Sequence, residues 1–236
     1  MRGATGNLYC GLHEFEDMGF ILHALRKSDT FVDIGANVGS YTLLAANEVG
    51  ANTISVEPIP STFEILEQNL NINKIREYVT ALNIGLGAKK GELKFTKSKD
   101  TMNHVALDDS EDTIAVPIEK FDDVIKLTSS TLIKIDVEGF ETEVLNGMSE
   151  ALPSPHLKAI IIELNGSGKK YGYEEEKIHE KLVAFGFAPF LYRPFERKLQ
   201  PIESYGKYNT IYIRNIDFIK SRIESAKKIE IHGQIF

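Results

Sequence analysis

The chain has 236 residues, 42% hydrophobic and 26% charged, with a formal net charge of -7; it is ordinary globular material, long enough to bury one substantial core. The acidic balance argues against a broad electrostatic hold on nucleic acid, and Cys10, the one cysteine, excludes an intramolecular disulfide and a thiolate metal site. No stretch approaches the roughly 18 apolar residues of a membrane span, and the first twenty residues carry Glu14, Glu16 and Asp17 instead of a signal-peptide core, so a cytoplasmic protein without a membrane span is expected.

Phe20 to Leu25 reads as a helix, and the strand pattern begins at Thr30, where Phe31-Val32-Asp33-Ile34 is short, apolar and stopped by Gly35. A helix over Val38 to Asn47 follows, then a second buried strand, Thr53 to Glu57, closed by Pro58. Ser61-Thr62-Phe63-Glu64 has the spacing of a capping box ahead of a helix marked by Phe63, Leu66 and Leu70. Val79 to Ile84 is the third strand. From Glu92 to Pro117 short apolar runs flank a polar loop, Lys97 to Ser110, which predicts an antiparallel excursion. Phe121 to Leu127 reads as a brief helix, Thr131 to Ile135 as a buried strand, Glu141 to Met148 as a helix, and Lys158 to Leu164 as the most apolar strand. After a helix from Glu174 to Phe185, the strands Phe187 to Tyr192 and Asn209 to Ile213 predict a hairpin around a loop with Arg193, Pro194 and Pro201. A last helix, Ile216 to Lys227, precedes the tail.

Strands alternating with helices and ending in a hairpin predict an α/β fold with a doubly wound, mostly parallel sheet. One domain over 1–236 is expected, with an N-terminal cap segment (1–29), a core (30–214) and a C-terminal helix and tail (215–236). In such a sheet ligands collect beyond the carboxyl ends of the strands, where strand order reverses. Asp33-Ile34-Gly35-Ala36-Asn37-Val38-Gly39 stands at the first such end, and its glycines let a ligand approach the backbone closely. It is not the three-glycine dinucleotide fingerprint, which disfavours a nicotinamide enzyme. Glu57, at the second strand end, is a carboxylate able to accept both hydroxyls of a ribose, and Asp33 can hold an ammonium directly or through water. An aminoacyl nucleoside carries both groups.

Asp33 to Gly39, Val56-Glu57-Pro58 with Phe63, Gly85-Leu86-Gly87 with Gly91, Phe121-Asp122-Asp123, Ile133-Lys134-Ile135-Asp136-Val137-Glu138-Gly139 with Glu141, Gly147, and Ile162-Glu163 together resemble the FkbM-like methyltransferases, from about Gly6 to the tail. The resemblance implies a seven-stranded, Rossmann-like class I methyltransferase sheet with a C-terminal antiparallel hairpin. It implies S-adenosyl-L-methionine as cofactor and methyl transfer to a hydroxyl, often on a sugar or natural product. Carried over by position, it places Asp33, Gly35, Ala36, Asn37 and Gly39 around the methionine part and Glu57 on the ribose. Pro58 and Ile59 then stand beside the adenine, and Gly85 and Leu86 at its edge. Asn83 departs from the Asp often found there. Gly6-Asn7-Leu8-Tyr9 with Gly11, His13, Glu14 and Asp17 is similar to a cap over the cofactor, with Glu14 or Tyr9 helping to enclose the methionine.

Methyl transfer from a sulfonium is an in-line displacement that mainly needs an aligned acceptor and a group to take its proton. Asp136 and Glu138 leave the fourth parallel strand, Glu163 and Asn165 the fifth, and their ends converge near the sulfonium. On one reading Asp136 is also the base, while Glu138, Glu163 and Asn165 orient the acceptor. On a second, some of these oxygens bind a divalent cation, magnesium or calcium; on a third, Glu138 and Glu163 bond loop amides. His104 is another candidate base, because imidazole titrates near neutrality. Substrate-facing residues are expected among Tyr171, Tyr173, Tyr192, Arg193, Tyr205 and Tyr208. The function expected is O-methylation of a hydroxyl on a sugar, a glycan or a small metabolite, in a chain compatible with a place in a larger biosynthetic polypeptide or complex. The alternatives are a small-molecule N-methyltransferase and a non-catalytic cofactor-binding module.

Overall fold

The computed structural model of the chain describes residues 11–96, 104–106 and 112–236. Five parallel strands form its centre: β1 (Thr30–Ile34), β2 (Asn52–Val56), β3 (Val79–Leu82), β7 (Thr131–Ile135) and β8 (Leu157–Glu163). Between β3 and β7 lie β4 (Gly85–Leu86), β5 (Gly91–Thr96) and β6 (Thr113–Glu119), which make a separate three-stranded sheet in which β5 and β6 run antiparallel, as predicted. The main sheet continues through β9 (Ala188–Arg193), β10 (Lys198–Pro201) and β11 (Asn209–Ile213). Its order is β10-β9-β11-β8-β7-β1-β2-β3. β11 is antiparallel to both β8 and β9, so it inserts between them, and the sheet has eight strands where seven were expected. The extra one, β10, lies inside the stretch predicted as loop; it pairs only with β9, an edge position where Pro201 forfeits no ladder bond.

Strand alternation divides the core into two faces. β7 sends Leu132 to one side and Ile133 and Ile135 to the other. The first face is covered by α1 (Phe15–Ala24), by α2 (Ser40–Leu43), which continues as a π-helical turn over Leu44–Val49, and by the late helix Ile216–Glu224. On the second face lie Val144 and Leu145 of the helix Glu141–Asn146, and Ile178 and Leu182 of the helix Glu175–Ala184. Each of these fully buried aliphatic side chains stabilises the fold by about 1.5–3 kcal/mol. The helix Pro60–Ile72 packs Leu66 and Leu70 against Ala36 and Val79. Its start departs from the predicted capping box: Pro60 occupies the first turn behind an extended Ile59, and no side chain caps it.

The registers place the chemistry. Ile34 lies level with Val56 and with Ile135, Val56 with Leu82, and Ile135 with Ile162. Residues 35, 57, 83, 136 and 163 therefore leave the sheet at one height. Between β1 and β7 the connections change direction, which opens the crevice of a doubly wound sheet.

On the face of α1, His23 is wholly buried, its Nδ1 2.6 Å from the Tyr192 hydroxyl and its ring 5.3 Å from that of Phe236. Burial, together with the Arg197 and Arg26 charges, pushes it down to about 4. A histidine depressed below its unfolded value of ~6.5 favours folding while neutral and loses that contribution as pH falls from about 6.5 towards 4. His23→Leu should therefore cost stability at pH 7, and the gap to wild type should narrow by more than about 1 kcal/mol at pH 5 in urea unfolding. A constant gap would show that His23 is not buried in its neutral form. Tyr192, expected at the acceptor, belongs to this core.

Candidate active site

The level strand ends enclose a cleft of about 340 Å³, within the range of small-molecule sites. Asp33 to Val38, Glu57, Pro58, Ile59, Gly85, Leu86, Asp136 and Glu138 line it. Gly39, the remaining predicted loop residue, ends that loop at φ 93° and packs on Leu66.

The loop after β1 is held by its neighbour. The amides of Gly35 and Ala36 both donate to the Val56 carbonyl (2.9 and 3.0 Å), so these residues give the cleft space rather than donors. Gly35 sits at φ 78°, and a Cβ there would stand 1.8 Å from the Asp136 carbonyl oxygen. Asn37 takes φ 51°, and its Oδ1 is buried with no hydrogen-bond partner among the described residues. Asp33 turns inward: its Oδ2 accepts from the amide (3.0 Å) and hydroxyl (2.7 Å) of Thr42, whose hydroxyl also bonds Ser55. Burial raises Asp33 to about 6 against the pull of those bonds and of Lys134.

Glu57 is 5% exposed. Its Oε2 accepts the Asn37 amide and its Oε1 the Ile59 amide, each at 2.9 Å. The carboxylate is thus fixed in one orientation, with lone pairs remaining on both oxygens. Burial pushes it up to about 7 despite those two bonds. Asn83 donates to the carbonyls of Glu57 (2.8 Å) and Pro58 (3.1 Å), so the residue that departs from the familiar Asp ties down the end of β2.

At the other end of the cleft Glu141 shapes the turn after β7. Its Oε1 accepts the amides of Val137 (3.2 Å) and Gly139 (3.1 Å), and Glu138 between them takes φ 54°. Asp136 accepts an ammonium hydrogen bond from Lys134 at 3.0 Å. Glu163 does not line the cleft; burial first, then the Asp136 charge, raise it, and it shares a hydrogen bond with Asp136. Asn165 is taken up by its own turn, accepting the Ser167 amide at 2.9 Å. His104 exchanges backbone and hydroxyl bonds with Thr96 at the end of β5 and is not among the cleft residues. Among the described residues no group of three or more His, Cys, Asp or Glu side chains is arranged to hold a metal ion.

The sequence reading missed Lys134, 1% exposed at the centre of the sheet. A lysine inside the apolar run Thr131-Leu132-Ile133-Lys134-Ile135 was its signal, because a buried ammonium requires partners. The carboxylates of Asp136, Glu14 and Glu163 outweigh its desolvation and hold it protonated, and the Tyr41 ring lies 5.4 Å from its Nζ. The Tyr41 hydroxyl in turn donates to Glu14, just before α1. Glu14 and His13 therefore line the cleft; Tyr9, the other residue expected in the cap, lies outside the described residues. Phe140 also lines the cleft and packs edge-on against Tyr171 (5.7 Å) and Tyr173 (6.4 Å).

A family model described as the methyltransferase FkbM domain matches residues 33–189, from Asp33 through the start of β9. The hexuronic acid methyltransferase AglP of Haloferax volcanii is 28% identical over 148 residues, covering 61% of this chain and 59% of that protein. Methyltransferase sdnD of Sordaria araneosa is 26% identical over 172 residues, covering 58% and 66%. The chain thus spans less than two thirds of either relative. Among solved structures, a Streptococcus mutans protein in complex with S-adenosylhomocysteine superposes with a TM-score of 0.51 at 11% identity, covering 84% of this chain and 96% of that one, a likeness of fold.

Proposed function

Since the chain belongs to the FkbM methyltransferase domain family, we propose that it methylates a hydroxyl of a sugar, glycan or other small metabolite, with S-adenosylmethionine as the donor. The observation that carries the cofactor assignment is Glu57: a buried carboxylate, pinned at both oxygens by loop amides, facing a cleft whose neighbouring backbone leaves no room for a Cβ at Gly35. The unpartnered Oδ1 of Asn37 is a second sign that a donor belongs there. In this reading Glu57 accepts the ribose hydroxyls, while Pro58, Ile59, Gly85 and Leu86 flank the base. Gly35, Ala36, Asn37 and Gly39 make room for the methionine part, and Asp33 and Asp136 supply negative charge beside it. When bound, the cofactor supplies an electrophilic methyl on a sulfonium. The chain's own residues hold the acceptor against it and exclude water, with Phe140 as one wall. The Haloferax relative supports a carbohydrate acceptor.

Calorimetry with S-adenosylhomocysteine, followed by a radiolabelled methyl-transfer screen over neutral, acidic and amino sugars and their glycans, tests the proposal. Binding in the micromolar range and a methyl ether in the product are expected; absence of binding would remove the cofactor assignment. Affinity should also follow Glu57. Its ionised form is the one that accepts two hydroxyl donors, and with the free group at about 7 the dissociation constant should rise about tenfold between pH 8 and pH 6. Glu57→Gln, neutral at every pH, should bind weakly and without that slope.

A further inference from the structure

Three carboxylates stand at the acceptor end, and they are not equivalent. Asp136 is already engaged, by the Lys134 ammonium at 3.0 Å and by a hydrogen bond with Glu163. Glu163 interacts with Asp136 and does not line the cleft. Glu138 does, and among the described residues no hydrogen bond to its carboxylate is made. Its backbone is also the unusual one: φ 54° in a residue with a long side chain, a conformation that costs of order 1 kcal/mol or more and persists only where the surroundings impose it. Two features impose it. Glu141 Oε1 gathers the amides on either side of Glu138, and Gly139, at φ 99°, lies so close to Ser167 that a Cβ would be 2.7 Å from its backbone. The chain holds a strained turn, and the residue this turn sets against the cleft is Glu138.

We propose that Glu138 is the base that takes the acceptor proton, and that Glu141 is its positioning residue, acting through the Val137 and Gly139 amides. This rests on the methyl-transfer reading above. The acceptor hydroxyl oxygen forms the new C–O bond as the bond from methyl carbon to sulfur breaks, with the electron pair leaving on sulfur. The hydroxyl proton passes to Glu138, which later releases it to solvent. The charged and titratable groups facing Glu138 are Lys134 from β7, Asp136 just beyond its end, Glu163 from β8 and Lys170 from the segment after it. Burial first, then the Asp136 charge, raise Glu138 above the ordinary carboxylate range, while Lys170 and Lys134 oppose them. A base lifted in this way is better matched to neutral pH than an ordinary carboxylate.

The test takes the acceptor that the wild-type chain methylates and compares Glu138→Gln, Glu138→Asp, Glu141→Gln and Asp136→Asn. Glu138→Gln should lower kcat by about 10²-fold or more, the ordinary yield of a general base. It should abolish the acidic limb of the kcat pH profile and leave affinity for S-adenosylhomocysteine within about threefold. Glu138→Asp should keep the limb at reduced kcat, which distinguishes chemistry from misfolding. Glu141→Gln should lower kcat with the limb retained, and Asp136→Asn should also retain it. A Glu138→Gln enzyme within about fivefold of wild type, or an acidic limb lost in Asp136→Asn and kept in Glu138→Gln, would overturn the inference. No turnover by wild type on any hydroxyl would instead sink the methyl-transfer reading itself.

Discussion

Gly35→Ala is expected to weaken S-adenosylhomocysteine binding by at least about a hundredfold, ~2.7 kcal/mol. Two effects coincide at this position. With φ at 78° any side chain is strained, by roughly 1–2 kcal/mol. In addition, the new Cβ would sit 1.8 Å from the Asp136 carbonyl oxygen and 2.8 Å from its carbon, neither of which is the end of a flexible side chain. Relief requires the end of β7 to move away from β1, and with it the Asp136 to Gly139 turn, whose first amide donates to the Ile34 carbonyl at 3.0 Å. Both ends of the cleft are displaced by one methyl group. Gly186→Ala is the control, because Gly186 has φ 83° and nothing within 4 Å of its Cβ position, so it carries the strain without the collision. Gly186→Ala should lose stability and keep affinity; if Gly35→Ala behaves the same way, the close approach of β1 and β7 is not what shapes the cleft.

Lys134→Met should be the most destabilising single change in the sheet. Removing one member of a buried ion pair while leaving the other costs about 3–5 kcal/mol. In a chain of this size that lowers the melting temperature by roughly 6–20 °C. The lysine serves more than one partner: Asp136 by hydrogen bond, and Glu14, Asp17, Asp33 and Glu163 by charge. Because those carboxylates hold its pKa above the unfolded value, its contribution is complete throughout the neutral range and is lost only above about pH 10. The penalty in the variant should shrink towards acid, since Asp17 and Asp33, already lifted to about 6 by burial, take up protons and no longer need a cation. Melting scans at pH 8 and 5.5 should show the gap to wild type closing, and Lys134→Met/Asp136→Asn should recover part of the loss. A pH-independent gap would mean that lost packing, not charge, dominates.

What could be read from the sequence follows from where its information is local. The parallel strands were legible because each is a short apolar run stopped by a glycine, a proline or an acid, and level registers then bring those stopping residues together without further specification. This is why Glu57, Asp136 and the Gly35 loop could be assigned to one cleft. β10 was hidden because Lys198 to Pro201 is short, polar and proline-ended, and becomes a strand only through β9. The capping box failed because Pro60 fits the first helical turn and brought the helix start ahead of Ser61. The roles within the carboxylate cluster were not legible for a different reason. Which of Asp136, Glu138 and Glu163 is engaged depends on Lys134 and Glu141, and that is decided by which way side chains leave the sheet and the turn.

The packing of α1 bears on the order in which the cleft is assembled. Its rings Phe15 and His23 rest on Phe236, and Arg26, just beyond the helix, bonds the Arg222 carbonyl. The helix that brings Glu14 to Tyr41 and the cleft thus takes its support from residues far away in sequence. The strands β1, β2, β7 and β8 can close into a sheet first, and the acidic cap settles over Lys134 only once the segment around Arg222 and Phe236 has folded back onto α1. In a variant lacking residues 229–236, the segment 12–25 should be cut by protease while β7 and β8 stay protected. The order of assembly is therefore strand ends first and rim last.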